Sequence, residues 1–137
     1  MVETRALTAL EYAPSAGEFA DLIAPPYDVV DAEMRQRLAA KSPYNIVRLS
    51  LPEADGLRGK YETAARILQD WLAKQILVRS EPAFYVIEQT FRVADKTLVR
   101  TGIFIQARLV PWGKGIYPHE VTLPKPKEDR MRLFRAT

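Results

Sequence analysis

The sequence predicts an α+β fold, with a mixed or antiparallel sheet of about four to five strands and about two to three helices packed against it. Three features carry this prediction. Residues 57–78 place apolar side chains three and four positions apart, which is typical of an amphipathic helix. Residues 83–93 and 98–110 are rich in β-branched and aromatic side chains and are joined by a short polar stretch, which predicts a hairpin. Asp31 stands at an N-cap position ahead of a shorter helix.

The first part of the chain predicts one strand and that shorter helix. Residues 2–10 alternate loosely between apolar and polar side chains, as a strand would. The double proline at 25–26 prevents a helix from running through it. The shorter helix covers residues 32–41 and ends before Pro43, because the residue preceding a proline is steered to extended geometry.

The middle of the chain predicts a strand followed by the clearest helix. Residues 44–51 are apolar and partly β-branched, which favours a strand. In the helix at 57–78, Trp71 lies on the apolar stripe, so we expect it to pack in the core. Glu62 and Arg66 are one turn apart on the outer face and can form an ion pair.

The predicted hairpin has one apolar and one polar face on its second strand. We therefore expect one face to be buried and the other to be partly wet. Gly102 in this strand indicates a bulge or a close approach of another backbone. The apolar face consists of Val99, Ile103, Ile105, Ala107 and Leu109.

The C-terminal part predicts an extended connection and a last helix. Four of the ten prolines fall between Pro111 and Pro126, which disfavours regular structure there. A helix is predicted to begin near Lys127, with Met131 and Phe134 facing inward. No stop signal follows its last apolar residue.

Length and composition predict one domain over residues 1–137. The chain is 47% hydrophobic and 27% charged, which is ordinary for a globular protein. It contains no cysteine, so disulfides, thiolate metal sites and cysteine nucleophiles are excluded, and a cytoplasmic location is expected. No apolar run is long enough to span a membrane, and the N-terminus does not resemble a signal peptide.

The formal net charge of +3 is concentrated at the C-terminal end. Residues 1–112 carry 14 basic and 14 acidic side chains, whereas residues 113–137 carry 6 and 3. A nucleic-acid surface usually spreads its basic residues over a whole face. The local excess therefore favours a pocket for a small anion over a nucleic-acid surface.

The stretch "PHEVTLPKPKEDR" contains most of the candidate site residues. If it is extended, Glu120 and Thr122 share one face, and a carboxylate beside a hydroxyl suits a base or a contact to a metal-bound nucleotide. Lys125, Lys127 and Arg130 could hold phosphate oxygens. The alternative is structural, with solvated charges beside prolines, and the residues do not decide between the two.

Two further candidate regions carry open alternatives. His119 is the single histidine of the chain, so it has no second histidine with which to form a metalloprotease motif, and no metal site is predicted. Tyr27 and Asp28 follow the double proline, whose rigidity would suit a ligand site. A turn in which Asp28 bonds its own backbone is the favoured interpretation of these residues alone.

The motifs "APPYDVV", "SPYNIVRLSLPE", "PAFYVIEQTF" and "HEVTLPKPKEDRMRLFRAT" resemble the N-terminal part of the family called Domain of Unknown Function 1015. Members of that family are longer and carry an Asp-Gly-His-His-Arg-Tyr pattern that this chain lacks. The resemblance implies an N-terminal fragment, whose partner would be the missing C-terminal domain of the same protein. That pattern is similar to one in the ParB/sulfiredoxin superfamily, which includes nucleotide hydrolases and a serine kinase.

This resemblance implies that the chain is part of a kinase-like phosphotransferase or nucleotide hydrolase that uses a nucleotide with magnesium. On its own, this fragment is expected to be inactive. Glu120 and His119 would be the catalytic candidates, and Thr122, Lys125, Lys127, Arg130, Tyr27 and Asp28 the ligand-binding ones. The alternative is a non-catalytic binding or regulatory module, associated with nucleic acid or with packing between domains.

Overall fold

The computed structural model describes residues 2–56, 58–118 and 124–137. It confirms the α+β class. In the described part of the chain the strands form three separate two-stranded pairs, where the sequence suggested one larger sheet. The helices are α1 (Phe19–Leu22), α2 (Ala32–Lys41), α3 (Val47–Ser50), α4 (Lys60–Ala73) and α5 (Pro124–Ala136). The strands are β1 (Thr4–Arg5), β2 (Leu10–Tyr12), β3 (Leu77–Arg79), β4 (Tyr85–Val93), β5 (Lys96–Phe104) and β6 (Gln106–Ala107).

The chain divides into two compact units. One contains residues 1–10 and 79–121, and the other contains residues 11–78 and 122–137. None of the described helices is both long and apolar enough to cross a membrane.

The helical unit, residues 11–78 and 122–137, is built around Trp71. Helix α4 packs against both α3 and α5, and α2 packs against α1 and α3. Tyr44 meets the Trp71 ring edge-on at 5.8 Å between ring centroids. The other buried members of this core are Ala16, Leu22, Ile76 and Leu77. The predicted core position of Trp71 is confirmed.

Tyr12 adds a partly buried polar contact to this core. Its hydroxyl donates a hydrogen bond to the backbone oxygen of Tyr44 at 2.7 Å, and its ring lies 6.3 Å from that of Trp71. Burial raises the pKa of the Tyr12 hydroxyl to about 12, because the ionised form would lose its hydration.

Helix α2 forms for the local reasons that the sequence indicates. The Asp31 carboxylate accepts a hydrogen bond from the backbone N–H of Met34 at 2.7 Å, so the predicted N-cap is confirmed. The helix ends at Lys41, and Ser42 is extended ahead of Pro43. Both predicted boundaries are therefore confirmed.

The strand predicted at residues 44–51 is wrong, because that stretch forms a turn and the short helix α3. Asn45 is fully buried and determines this geometry. Its side-chain N–H groups donate to the backbone oxygens of Asp21 and Ile23, at 2.7 and 3.0 Å. Its side-chain oxygen accepts from the N–H of Val47 at 3.0 Å, as a cap does.

Two predictions about the helices need correction. Arg66 bonds the Asp55 carboxylate at 3.1 Å instead of Glu62. Helix α5 begins at Pro124 instead of near Lys127, and its inward residue is Leu133. Met131 and Phe134 are 44% and 75% exposed, so the expectation that they face inward is wrong. The helix ends where both the N–H and the hydroxyl of Thr137 bond the backbone oxygen of Leu133.

The second unit, residues 1–10 and 79–121, is dominated by the β4–β5 hairpin. The nine residues of each strand pair antiparallel without interruption, from Tyr85 opposite Phe104 to Val93 opposite Lys96. The predicted hairpin is confirmed. The short strand β1 pairs antiparallel with β6, and the predicted strand at residues 2–10 is thus confirmed in part.

The hairpin differs from its prediction in burial and length. Both of its faces are exposed, so the expected buried face is wrong. The second strand ends at Phe104, and Ile105 separates it from β6. Gly102 lies in register opposite Ile87 with open space where a Cβ would be, so it marks neither a bulge nor a close approach.

Candidate functional site

The clearest candidate site in the helical unit is centred on Arg130 of α5. Its guanidinium lies over the ring of Tyr27, 4.4 Å from the ring centroid. Tyr27 opens the short helical turn Tyr27–Val29 that follows the double proline, and its side chain is partly exposed. The contact brings together two residues that the sequence suggested separately as ligand-binding candidates.

Two polar contacts fix the Arg130 side chain in this position. Its Nη1 donates to the backbone oxygen of Ser50 at 2.5 Å. Its Nε and Nη2 both donate to the carboxylate of Asp129, the Nε at 3.1 Å. A guanidinium held at three of its N–H groups and stacked on a ring keeps one orientation, which suits recognition of an anion with several oxygens.

Asp129 connects α5 to the beginning of α4. Its other oxygen accepts hydrogen bonds from the Lys60 ammonium at 2.5 Å and from the Tyr61 hydroxyl at 2.8 Å. The Lys60 hydrogen bond, with smaller contributions from Arg130 and Tyr61, holds the pKa of Asp129 well below its usual range. The same contact raises the pKa of Lys60.

A hollow of about 190 Å³ lies beside this cluster, and we call it the Arg130 hollow. Arg35, Lys60 and Arg130 reach it from α2, α4 and α5. Its full lining is Val30, Asp31, Ala32, Arg35, Leu51, Pro52, Glu53, Lys60, Asp129 and Arg130. The lining thus contains three cationic side chains and the carboxylates of Asp31, Glu53 and Asp129.

Arg35 is the least exposed of these three cations. Its Nε donates to the backbone oxygen of Leu51 at 2.7 Å, and its side chain is only 14% exposed. Its Nη1 pairs with Glu53 at 2.7 Å. Glu53 lies in a loop, and its side chain is 63% exposed. It can therefore leave the pair by rotating into water.

The beginnings of two helices also face this hollow. Ala32 is the first residue of α2, and Lys60 is the first residue of α4, and both line it. Asp31 caps α2, whereas Gly59 at the N-cap of α4 offers no side-chain hydrogen bond. The positive end of a helix dipole favours bound negative charge, and because the Asp31 carboxylate already occupies that of α2, the start of α4 is the one left to attract an anion.

Two of the remaining predicted site residues lie away from the Arg130 hollow. Lys127 is exposed on α5 and does not line the Arg130 hollow, and Asp28 is exposed in the turn after the double proline. His119, Glu120 and Thr122 lie outside the described residues, as does the side chain of Lys125. Their predicted roles stay predictions. In the described ranges, no three His, Cys, Asp or Glu side chains are grouped so that they could hold a metal ion.

Sequence reasoning missed Arg35, Glu53 and Lys60. They come from α2, a loop and α4, and no motif or spacing in the sequence connects them to Arg130. In the structure Asp129 lies within α5, away from the helix start, where it neutralises Lys60 and Arg130.

Comparison with known proteins places the chain in a family. The family model described as "Protein of unknown function (DUF1015)" matches residues 5–137. No curated protein and no solved structure gave a match. The similarity to the ParB/sulfiredoxin superfamily therefore stays a prediction. Because the family model covers nearly all of the sequence, the chain belongs to the DUF1015 family of proteins of unknown function.

Proposed function

We propose that the helical unit binds a phosphate-bearing small molecule in the Arg130 hollow, as the phosphate-binding part of a nucleotide-handling phosphotransferase. One observation carries this proposal: Arg35, Lys60 and Arg130 converge on one hollow from three separate helices. Cations from separate elements repel one another, and an arrangement that holds them together favours a multivalent anion between them.

The carboxylates in the lining set the mode of binding. The three cations and three carboxylates of the lining cancel formally, so an incoming phosphate must replace a carboxylate. Glu53 is the one most readily replaced, because its side chain is 63% exposed, whereas that of Asp129 is 28% exposed and Asp31 caps α2. Arg35 would stay in place through its bond to Leu51.

The two other cations keep donors for a ligand. Arginine has five N–H donors, and the contacts of Arg130 to Ser50 and Asp129 engage three of them. Lysine has three, and the Lys60 ammonium donates one to Asp129. A phosphate oxygen can therefore be bound by Lys60 and Arg130 while both keep their contact with Asp129.

In the phosphotransferase reaction, the terminal phosphoryl group of a nucleotide would pass to an acceptor hydroxyl. The bond from phosphorus to the nucleotide oxygen breaks, a bond to the acceptor oxygen forms, and the acceptor proton goes to a base. Glu120 stays the sequence's candidate for this base or for a metal-linked carboxylate, and His119 and Thr122 are its near neighbours along the chain. The expected magnesium would bind through the phosphate oxygens of the nucleotide.

Calorimetric titration of the purified chain with pyrophosphate, ADP and magnesium-ATP tests this proposal. We expect saturable binding by the wild type. In Arg130→Ala the affinity should fall at least about tenfold, because one charged contact to the phosphate is lost. Arg132→Ala is the matched control, because Arg132 is an exposed cation of the same helix that pairs with Glu128 outside the hollow. Arg35→Lys keeps the charge but loses the paired N–H donors of the guanidinium, so it should also weaken binding. It serves as the second variant if Arg130→Ala lowers the stability of the fold. Equal affinities in all four proteins would contradict the proposal.

A second candidate function is a non-catalytic module that packs on another domain of the same protein. The exposure of Met131 and Phe134 favours it, since Phe134 lies beside an apolar groove of about 290 Å³ together with Leu133 and Leu68. The same titrations separate the candidates, because such a module would bind no phosphate. A nucleic-acid-binding form of it would bind DNA with a steep salt dependence, whereas a small-anion pocket depends on salt much less.

A further inference from the structure

The β4–β5 hairpin has the features of an incomplete sheet. It is a two-stranded ribbon about 30 Å long, from nine residues at roughly 3.4 Å each. Apolar side chains are exposed on both of its faces, among them Val86 and Ile103 on one face and Ile87 and Phe91 on the other. An isolated two-stranded hairpin is marginally stable in water, and further strands are normally needed.

The outer edge of β4 offers regularly spaced backbone groups for such a strand. In a two-residue hairpin, the pair flanking the loop exchanges both backbone hydrogen bonds, and this pair is Val93 and Lys96. Because bonded and non-bonded pairs alternate, the next residue along, Arg92, points its N–H and C=O away from β5. Thr90 and Glu88 do the same, so the open edge of β4 is formed by every second residue.

The side chains of this edge are complementary to themselves. Glu88 and Arg92 lie symmetrically on either side of Thr90, and all three are exposed. If a second β4 strand runs antiparallel with Thr90 opposite Thr90, Glu88 of each copy lies opposite Arg92 of the other. On the opposite face, the same register sets Ile87 against Val93. Opposite charges and apolar residues directly across from one another stabilise strand pairing.

The edge of β5 lacks this complementarity. Its charged side chains, Lys96 and Arg100, are both cationic. No antiparallel register of β5 with itself gives an ion pair, and the register centred on Arg100 opposes two arginines. Cationic side chains on an edge strand also hinder pairing with other chains. The charges therefore select the β4 edge.

We propose that two copies of this chain associate through β4, in antiparallel register about Thr90, to form a four-stranded sheet in the order β5-β4-β4-β5. Such a contact is isologous, because the same residues meet from both sides, and it closes after two copies. Each dimer contains two Glu88–Arg92 pairs.

Charge exchange tests this dimer. The molecular mass of the chain in solution is measured by sedimentation over a range of concentrations, and we expect a dimer for the wild type. Glu88→Arg places two arginines opposite each other at both pairs, and Arg92→Glu places two glutamates there. Each single variant should weaken the dimer at least about tenfold, and the double variant Glu88→Arg/Arg92→Glu should restore it.

Arg100→Glu is the matched control, because it changes an exposed charge of the same hairpin on β5. This variant should associate as the wild type does. A wild type that stays monomeric at all concentrations overturns the proposal. A dimer that both single variants keep unchanged, or that the double variant fails to restore, also overturns it, because the contact would then lie elsewhere.

Discussion

The guanidinium of Arg130 stacks on the ring of Tyr27 at 4.4 Å, which joins a turn near the start of the chain to its last helix. The stack holds the guanidinium plane in position while its N–H groups bond Ser50 and Asp129. The orientation of Arg130 toward the Arg130 hollow thus depends on a residue that need not touch a ligand.

Replacing Tyr27 should therefore weaken phosphate binding through Arg130. A cation on an aromatic face at a partly exposed site contributes about 0.5–1 kcal/mol. Tyr27→Leu should lower pyrophosphate affinity about twofold to fivefold by calorimetry. Tyr27→Phe is the matched control, since it keeps the ring and should bind nearly as the wild type does. A similar loss in both variants would show that the hydroxyl matters and the stack does not.

Asp129 should give the fold a stability that depends on pH in the acid range only. Its folded pKa lies below the unfolded value, so the carboxylate stabilises the fold above about pH 4 and this stabilisation is lost as the pH falls through the folded pKa. Asp129→Asn should lower the free energy of unfolding by about 1–2 kcal/mol at pH 7. The expected loss is smaller than for a fully buried pair, because the pair with Lys60 is partly exposed. Urea denaturation at several pH values measures this.

The difference between wild type and Asp129→Asn should be constant from pH 7 to 5 and shrink only below about pH 4. Asp70→Asn is the control, because it breaks the exposed pair with Lys74 on α4 and should cost less than about 0.5 kcal/mol. If the difference already shrinks between pH 7 and 5, the lowered pKa of Asp129 is wrong.

Asn45 should be one of the most sensitive positions of the helical unit. Asn45→Ala removes the donor to the backbone oxygens of Asp21 and Ile23 and the cap on Val47, at an expected cost of about 3 kcal/mol. Asn45→Asp should cost at least as much, because a carboxylate cannot donate to a carbonyl. Thermal and urea unfolding measure both. Gln69→Ala, an exposed change on α4, should have little effect, and an equally mild Asn45→Asp would contradict this role.

The sequence predicted the elements whose causes are local. The N-cap at Asp31, the end of α2 before Pro43 and the apolar stripe of α4 each depend on residues within a few positions. Residues 44–51 were misjudged because the partners of Asn45 lie more than 20 positions away along the chain, where no local pattern can reveal them. Tertiary hydrogen bonds there outweighed β-propensity.

The site was predictable only in part, for the same reason. Arg130 and Tyr27 could be chosen from their neighbours, one following lysines and one following a double proline. Arg35 and Lys60 could not, since on the sequence they are ordinary helical cations. Only the packing of α2, α4 and α5 brings them to one hollow.

We propose that the Glu53 carboxylate occupies the place that a phosphate group takes at Arg35. Glu53→Gln removes the competing carboxylate and leaves the cation free, so the affinity for pyrophosphate should rise about threefold to tenfold in calorimetric titration. Glu33→Gln is the matched control. It removes the same charge from the same unit, but Glu33 forms an exposed pair with Arg37 outside the hollow. The affinity should therefore stay within about twofold of the wild-type value. A Glu53→Gln protein that binds pyrophosphate no more tightly than the Glu33→Gln protein would contradict the claim.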